Sequence, residues 1–183
     1  QAVGVTLADG SEISADIVVS NADMWFTETQ LLEKKYRTHP EKSWKRKTMG
    51  PSAFILYLGL DKKIDSVLHH NLRFAKNWKD NFSALFDNPR LPEDPSYYVC
   101  CPTKTDNSIA PAGKDLLFVL VPLAAGLDLN AENKKTFRDK VIKMVAKDLK
   151  IDDLEDSIVT EQDYWQEDFS RDYNAYKGTA LGL

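Results

Sequence analysis

SAFILYLGL, residues 52–60, alternates along an extended chain: Phe54, Leu56, Leu58 and Leu60 share one face, and Ile55, Tyr57 and Gly59 the other, because successive side chains of a strand point to opposite sides. Apolar groups on both faces place this strand inside a sheet, or set a ligand against its second face. Two more apolar runs, 97–102 and 116–122, flank a segment rich in Pro, Gly, Asp, Asn and Ser at 103–115. An antiparallel pair is the simplest way to join them. Shorter strands are expected at 69–74 and 157–162.

The helical periods lie between these strands. From Asn130 onward, Phe137, Val141, Met144, Val145 and Leu149 fall on one stripe, the mark of a surface helix with its apolar face inward, and Asn130 suits its N-cap. Helical spacing is also read at 22–36, with Asn21 or Asp23 as cap. A short charged helix follows at 40–48. Another is expected at 78–86, with Phe82, Leu85 and Phe86 inward. The chain from Asp163 onward reads as aromatic and irregular. Strands mix with helices without strict alternation, which predicts an α+β fold: a mixed or antiparallel sheet with helices on one side.

The first 23 residues differ from the rest. Val3, Val5 and Leu7 alternate with Gly4 and Thr6, Asp9-Gly10 is a turn dipeptide, and Ile13, Ala15 and Ile17 alternate on the return strand. Ile17-Val18-Val19 is then a continuous β-branched run, as in strands covered on both faces. It ends in Ser20-Asn21-Ala22-Asp23, where open α/β sheets place ligands. The expected division is a hairpin and strand at 1–21, connecting to a nucleotide-binding domain that is not in this chain, and a substrate domain at 22–183. Gln1 lies almost at once in strand pattern, and Gly182-Leu183 closes the chain without a polar tail, so it reads as a piece of a longer protein.

At 183 residues, 43% hydrophobic and 28% charged, the chain has an ordinary globular composition. Its net charge of −4 argues against nucleic acid as a partner. No apolar run approaches the roughly 20 residues that span a bilayer, so a cytoplasmic location is expected. The basic cluster Lys34, Lys35, Arg37, Lys42, Lys45, Arg46 and Lys47 around Tyr36 and Trp44 is either a solvated face or a patch that docks on the inner face of an anionic membrane.

Chemistry-bearing residues are sparse. The eight glycines form no G-x-G-x-x-G, so this chain alone is not expected to hold a dinucleotide pyrophosphate. Cys100 and Cys101 read as buried thiols. His69 and His70 are strand neighbours, expected to point to opposite faces and so not to share a metal; no metal is expected. Glu161 and Asp168 are the acid/base candidates nearest the aromatic tail. There Tyr164, Trp165, Phe169, Tyr173 and Tyr176 precede the small-residue run after Lys177, a pairing of apolar wall and close backbone approach.

GVTLADGSEISADIVVSNAD (4–23), PSAFILYLGLDKK (51–63), HHNLRF (69–74), YYVCCPTKTDNSIAPAGKDLLFVLVP (97–122) and DFSRDYNAYKGTALGL (168–183) together resemble the phytoene desaturases, carotenoid desaturases of the flavin amine-oxidase superfamily. The resemblance implies an FAD-dependent oxidoreductase that adds conjugated double bonds to an acyclic polyene of the phytoene or diapophytoene type. It places Asn21, Ala22, Asp23 and Gly178 near the flavin. Phe54, Leu56, Tyr57 and Leu58, with Tyr173 and Tyr176 of the tail, would line or support the substrate chamber. Two other readings remain: a relative in the same superfamily acting on an amine or another isoprenoid, and a non-catalytic lipid-binding module.

Overall fold

The computed structural model describes residues 2–182. The chain falls into two compact units, Gln1–Arg46 and Lys47–Leu183. In the first, strands β1 (Gly4–Thr6) and β2 (Glu12–Ser14) form the expected antiparallel hairpin, with Val5 opposite Ile13. Gly10 takes φ +85° at the turn, and the Asp9 carboxylate accepts the Ser11 N–H at 2.9 Å. The Ile17–Val19 run is not a strand: it finds no partner among the described residues, and Ile17 and Val19 are 80% and 84% exposed. Its β-branched pattern asks for covering strands that these residues do not supply.

The helix expected at 22–36 is broken. Helix α1 (Met24–Phe26) is capped by Asp23, whose carboxylate accepts the Phe26 N–H at 3.1 Å, and it widens into a π turn at Thr27–Leu31. The chain straightens at Leu32 (φ −103°, ψ 135°) before a 3-10 turn at Lys34–Tyr36. The cause is Glu28, which is buried. Its carboxylate accepts the N–H groups of Thr38 at 3.1 Å and His39 at 2.9 Å, together with the Thr38 hydroxyl. Arg37 donates to the carbonyls of Leu32 and Thr29. These bonds fold 32–39 back over the helix instead of letting it continue. Helix α2 (Glu41–Trp44) is shorter than the expected 40–48.

The second unit is built on a five-stranded sheet. Its elements are β3 (Ser52–Leu60), β4 (His70–Arg73), α3 (Trp78–Leu85), β5 (Tyr97–Cys100), β6 (Leu116–Leu123), α4 (Ala131–Leu149), β7 (Ile158–Tyr164) and α5 (Gln166–Tyr173). The sheet order is β4-β5-β6-β3-β7, and every pairing is antiparallel. The α+β expectation is met, with the sheet in its antiparallel form.

Register fixes which residues share a face. Phe54 pairs with Val121, Leu56 with Val119, Leu58 with Leu117, and Val99 with Val119. These side chains are at most 2% exposed, and they form one core with Phe137, Val141, Ile142 and Val145 of α4. Asn130 caps α4 as expected, accepting the Asn133 N–H at 2.8 Å. The helix closes on Lys150, held in the left-handed region at φ +56°. Trp165 lies against the same core, its ring stacked on Phe54 at 4.0 Å.

Two expectations for this unit fail. Phe82 and Phe86 of the α3 segment face outward, 54% and 38% exposed, while Asn81, Ala84 and Leu85 are buried. Asn81 turns inward because its side chain accepts the Ser96 N–H at 3.2 Å. The tail is also not irregular: Asp168 accepts the Trp165 N–H at 2.7 Å to start α5, and Asn174 ends it at φ +54°.

Candidate functional site

The second face of the sheet is left open. Tyr57 pairs with Phe118, Cys100 with Phe118, Tyr98 with Leu120 and with Leu72, and His70 with Cys100. Alternation therefore brings these side chains to one surface. Tyr57 is 45% exposed and Leu72 68%, against nearly complete burial on the α4 side.

Across four strands the rings form a row. Tyr57 meets Phe118 edge to face at 5.4 Å, Phe118 meets Tyr98 at 6.2 Å, and Tyr98 stacks beside His70 at 5.9 Å. Such offset and edge-on contacts suit the ring quadrupoles. Tyr57 also opens onto a groove of about 460 Å³, walled by Leu116, Ile109, Pro111, Val159 and Gln162. Gly59 lets β7 approach: a Cβ there would stand 2.4 Å from the Thr160 methyl.

Asp115, at the end of this groove, is buried with its carboxylate fully paired. Thr103 Oγ1 donates to it at 2.6 Å, the Ile64 N–H at 2.8 Å and Lys63 Nζ at 3.0 Å, and Lys104 Nζ lies 3.3 Å away. Burial alone would raise its pKa; the Thr103 hydroxyl, the Ile64 N–H and the two ammonium groups bring it down to about 2. Neither Asp115 nor Glu28 is singled out by the sequence, because the groups that hold them lie 10 to 52 positions away.

Of the sequence candidates for the substrate, Tyr57 stands on the open face. Phe54, Leu56 and Leu58 are on the other face, in the core, and support the sheet from behind. Tyr173 is 65% exposed on α5, with its ring 6.3 Å from Phe169. Tyr176 is half-buried beside Lys177, whose ammonium lies 5.5 Å from its ring. Phe118 and Tyr98 were not among the candidates, although the alternation in 116–122 and 97–102 marks them once the register is known.

The acid/base candidates are occupied elsewhere. Glu161 is held by Arg138 of α4, with Nε donating at 2.8 Å, and Asp168 caps α5 and pairs with Arg171. Among the flavin candidates, Asp23 serves as the α1 cap, and Asn21 and Ala22 are exposed. Gly178 does not offer an open cradle. It is buried at φ +65°, and a Cβ there would stand 2.1 Å from the Gln166 carbonyl oxygen. On its Cβ side the close approach it permits is to the Gln166 backbone at the start of α5.

His69 and His70 contradict the geometry expected of strand neighbours. His69 precedes β4, so strand alternation does not govern it, and the two ring centroids lie 4.2 Å apart. In the basic cluster, Trp44 is buried, Arg37 is taken up by backbone carbonyls, and Lys35 pairs with Glu33 at 2.8 Å. Lys34, Lys42, Lys45 and Arg46 are exposed. Among the described residues no helix is long and apolar enough to cross a membrane.

An antiparallel sheet, one face cored and the other carrying an open aromatic row, here follows a short hairpin and a capped turn. The pattern of the flavin containing amine oxidoreductases matches residues 1–182, and the chain belongs to that family. Within it, the chain is similar to a carotenoid 3,4-desaturase of Haloarcula japonica, with 41% identity over 98% of this chain and 36% of the relative. It is also similar to a zeta-carotene-forming phytoene desaturase of Myxococcus xanthus, at 38% identity over 98% of this chain and 35% of the relative. A 4,4'-diapophytoene desaturase of a Methylomonas species is 37% identical over 100% of this chain and 36% of the relative. The chain thus spans about a third of the length of the curated relatives it matches.

Proposed function

We propose that the intact protein is an FAD-dependent desaturase that adds conjugated double bonds to an acyclic carotenoid precursor, and that this chain supplies the surface along which the polyene lies. The observation that carries the reading is the aromatic row from Tyr57 through Phe118 to Tyr98, continuous with an apolar groove. A hydrocarbon offers nothing to hydrogen-bond, so orientation rests on shape and apolar contact, and exclusion of water protects the reaction. FAD is the cofactor that membership of the family implies. When bound it would accept the hydride removed from the polyene. We place its pyrophosphate on parts of the intact protein beyond these residues, since the sequence holds no G-x-G-x-x-G. The exposed backbone at Asn21-Ala22, where 1–21 joins 22–183, is the segment we place nearest the flavin. No acid or base is assigned among Glu161 and Asp168, because both carboxylates are held by structural partners.

The test uses the full-length gene in a colourless host that makes thirty- or forty-carbon polyene precursors. The expected result is new absorption bands with conjugated-polyene fine structure in the lipid extract. A Phe118→Glu variant should cut product formation by about 100-fold, equivalent to about 2.7 kcal/mol, while Phe118→Leu stays within a few-fold of the parent. A folded, flavin-loaded protein that leaves the extract colourless would move the amine or other-isoprenoid reading to the front.

Such a substrate dissolves in the bilayer, so we place a membrane contact on this chain as well. Trp78, Phe82 and Phe86 are exposed at helical spacing on the α3 segment, next to exposed Phe74 and the exposed cations Lys76 and Lys79. Aromatic rings flanked by lysine suit the interface. Taken by itself, the basic cluster at 34–47 would be drawn to an anionic surface by about 1 kcal/mol per residue near it. The double variant Trp78→Ser, Phe82→Ser should weaken vesicle binding of the full-length protein about tenfold or more. Replacing Lys45, Arg46 and Lys47 should weaken binding to anionic vesicles only. Unchanged co-sedimentation in both variants would assign α3 to an interface with the rest of the protein.

A further inference from the structure

Where β4 and β5 meet, at the end of the aromatic row, three metal-ligating side chains converge. His70 lies directly across from Cys100 in the ladder, and His69 folds its ring onto that of His70. One nitrogen from each imidazole and the Cys100 sulfur all lie within 4.8 Å of one another. We propose that His69, His70 and Cys100 form a binding site for a zinc-type divalent cation, with a fourth position open to water.

Three features support this. The donor set is the first: two imidazoles and a thiolate select borderline and soft cations such as Zn²⁺ over Mg²⁺ or Ca²⁺. The second is the spacing. Tetrahedral zinc with nitrogen at about 2.0 Å and sulfur at about 2.3 Å needs ligand atoms roughly 3.3–3.8 Å apart, so binding requires the ligand atoms to draw in from within 4.8 Å, and the exposed His70 ring and half-buried His69 ring have room to turn. The third is orientation. Each imidazole has its Nδ1 engaged by a hydroxyl, His69 with Thr105 Oγ1 at 2.7 Å and His70 with the Tyr98 hydroxyl at 2.6 Å. Metal-bound histidines are held in this way by a partner on the second nitrogen, and with Nδ1 engaged Nε2 is the nitrogen left to ligate. Tyr98 thereby links the cation to the row that ends at Tyr57. A cation here would stiffen the exposed β4 edge and cap one end of the apolar face. The inference stands on these side chains alone and does not depend on the redox reading.

The test takes the full-length protein, stripped with chelator, and titrates it with Co²⁺ as a spectroscopic probe. The expected result is a thiolate-to-cobalt charge-transfer band that grows to saturation and is displaced by Zn²⁺. Cys100→Ser should abolish the band and Cys101→Ser should keep it. His69→Gln, His70→Gln and the partner variant Tyr98→Phe should each lower Zn²⁺ affinity, the last by about 10-fold or more. A second readout needs no variant: Zn²⁺ should protect Cys100 of the parent protein from alkylation by iodoacetamide, mapped by mass spectrometry. Absence of the band, its survival in Cys100→Ser, or equal alkylation with and without Zn²⁺ would each overturn the site.

Discussion

Asp115→Asn is expected to destabilise the second unit by about 3 kcal/mol at neutral pH, because one partner of a buried, multiply bonded ion cluster is lost. For a chain of this size that lowers the unfolding midpoint by roughly 6–12 °C. Asp115 joins three segments. Its side chain holds Ile64 after β3, Thr103 after β5, and the ammonium groups of Lys63 and Lys104. Its backbone bonds to Leu60 at 2.9 Å and Lys62 at 3.0 Å. The asparagine keeps the volume but presents an NH₂ where one oxygen accepted, so a donor then faces a donor. Lys63 is 37% exposed and can turn to water, which holds the cost at the low end of what breaking a buried pair brings.

The pH dependence separates this account from simple misfit. The folded carboxyl titrates at about 2, below the ordinary 3.8. A depressed folded pKa means that the unfolded chain takes up protons first as pH falls. The stabilisation is therefore complete above about 3.8 and lost as pH drops towards 2. The gap between parent and Asp115→Asn should be constant from neutral pH to about 4 and close below it. A gap of the same size at pH 2.5 would mean that packing, not charge, sets the cost. Glu28 of the first unit, brought from 4.5 to about 2 against the cost of burial by Thr38 and His39, shifts in the same direction. Acid should therefore loosen both units.

These two carboxylates show where sequence reading stops. Periodicity is local, and what it governs was legible: the alternation at 52–60, the stripe at 137–149, the Asn130 cap and the antiparallel partnership of 97–100 with 116–123. Asp115 and Glu28 are ordinary charges in the sequence and become buried anchors only when distant hydroxyl, amide and ammonium donors converge. The same holds for the His69, His70 and Cys100 cluster, which exists because β4–β5 register puts residue 70 opposite residue 100. The face of α3 was misread for a related reason. Asn81 is buried by its bond to Ser96, and the helix turns its aromatic side outward in consequence. The Ile17–Val19 run reads as a strand covered on both faces, and among the described residues it is neither a strand nor covered, because the pairing that would make it one is not supplied by these residues. Within the candidate site, Tyr57 was legible because it interrupts an aliphatic strand. Phe118 and Tyr98 needed the register to bring them beside it.

Gly178→Ala is expected to cost about 3 kcal/mol, combining a left-handed backbone with a forced backbone clash. Gly178 has φ +65°, and the added carbon would stand 2.1 Å from the Gln166 carbonyl oxygen and 2.6 Å from its carbon. Neither atom is a flexible side-chain end, so α5 or the tail must move. Gln166 is itself tied to Leu127, accepting its N–H at 3.0 Å, and Gly126 N–H donates to the Lys177 carbonyl at 2.8 Å. Beyond Gly178 the tail closes onto the entry of β3. Thr179 Oγ1 donates to the Gly50 carbonyl at 3.0 Å, Ala180 N–H to the Pro51 carbonyl at 3.0 Å, and Gly50 N–H to the Gly182 carbonyl at 2.9 Å. Displacing Gly178 therefore strains both the start of α5 and the anchor of the strand that carries Tyr57. Lys177, at φ +56° but exposed, is the matched control. Lys177→Gly relieves backbone strain and adds unfolded-state entropy in similar measure, so its stability should change by less than about 1 kcal/mol. Thermal unfolding of the full-length protein decides the matter: a large drop for Gly178→Ala with Lys177→Gly near the parent supports the packing role, whereas an unchanged Gly178→Ala midpoint would return this glycine to the ligand-facing role that the sequence suggested.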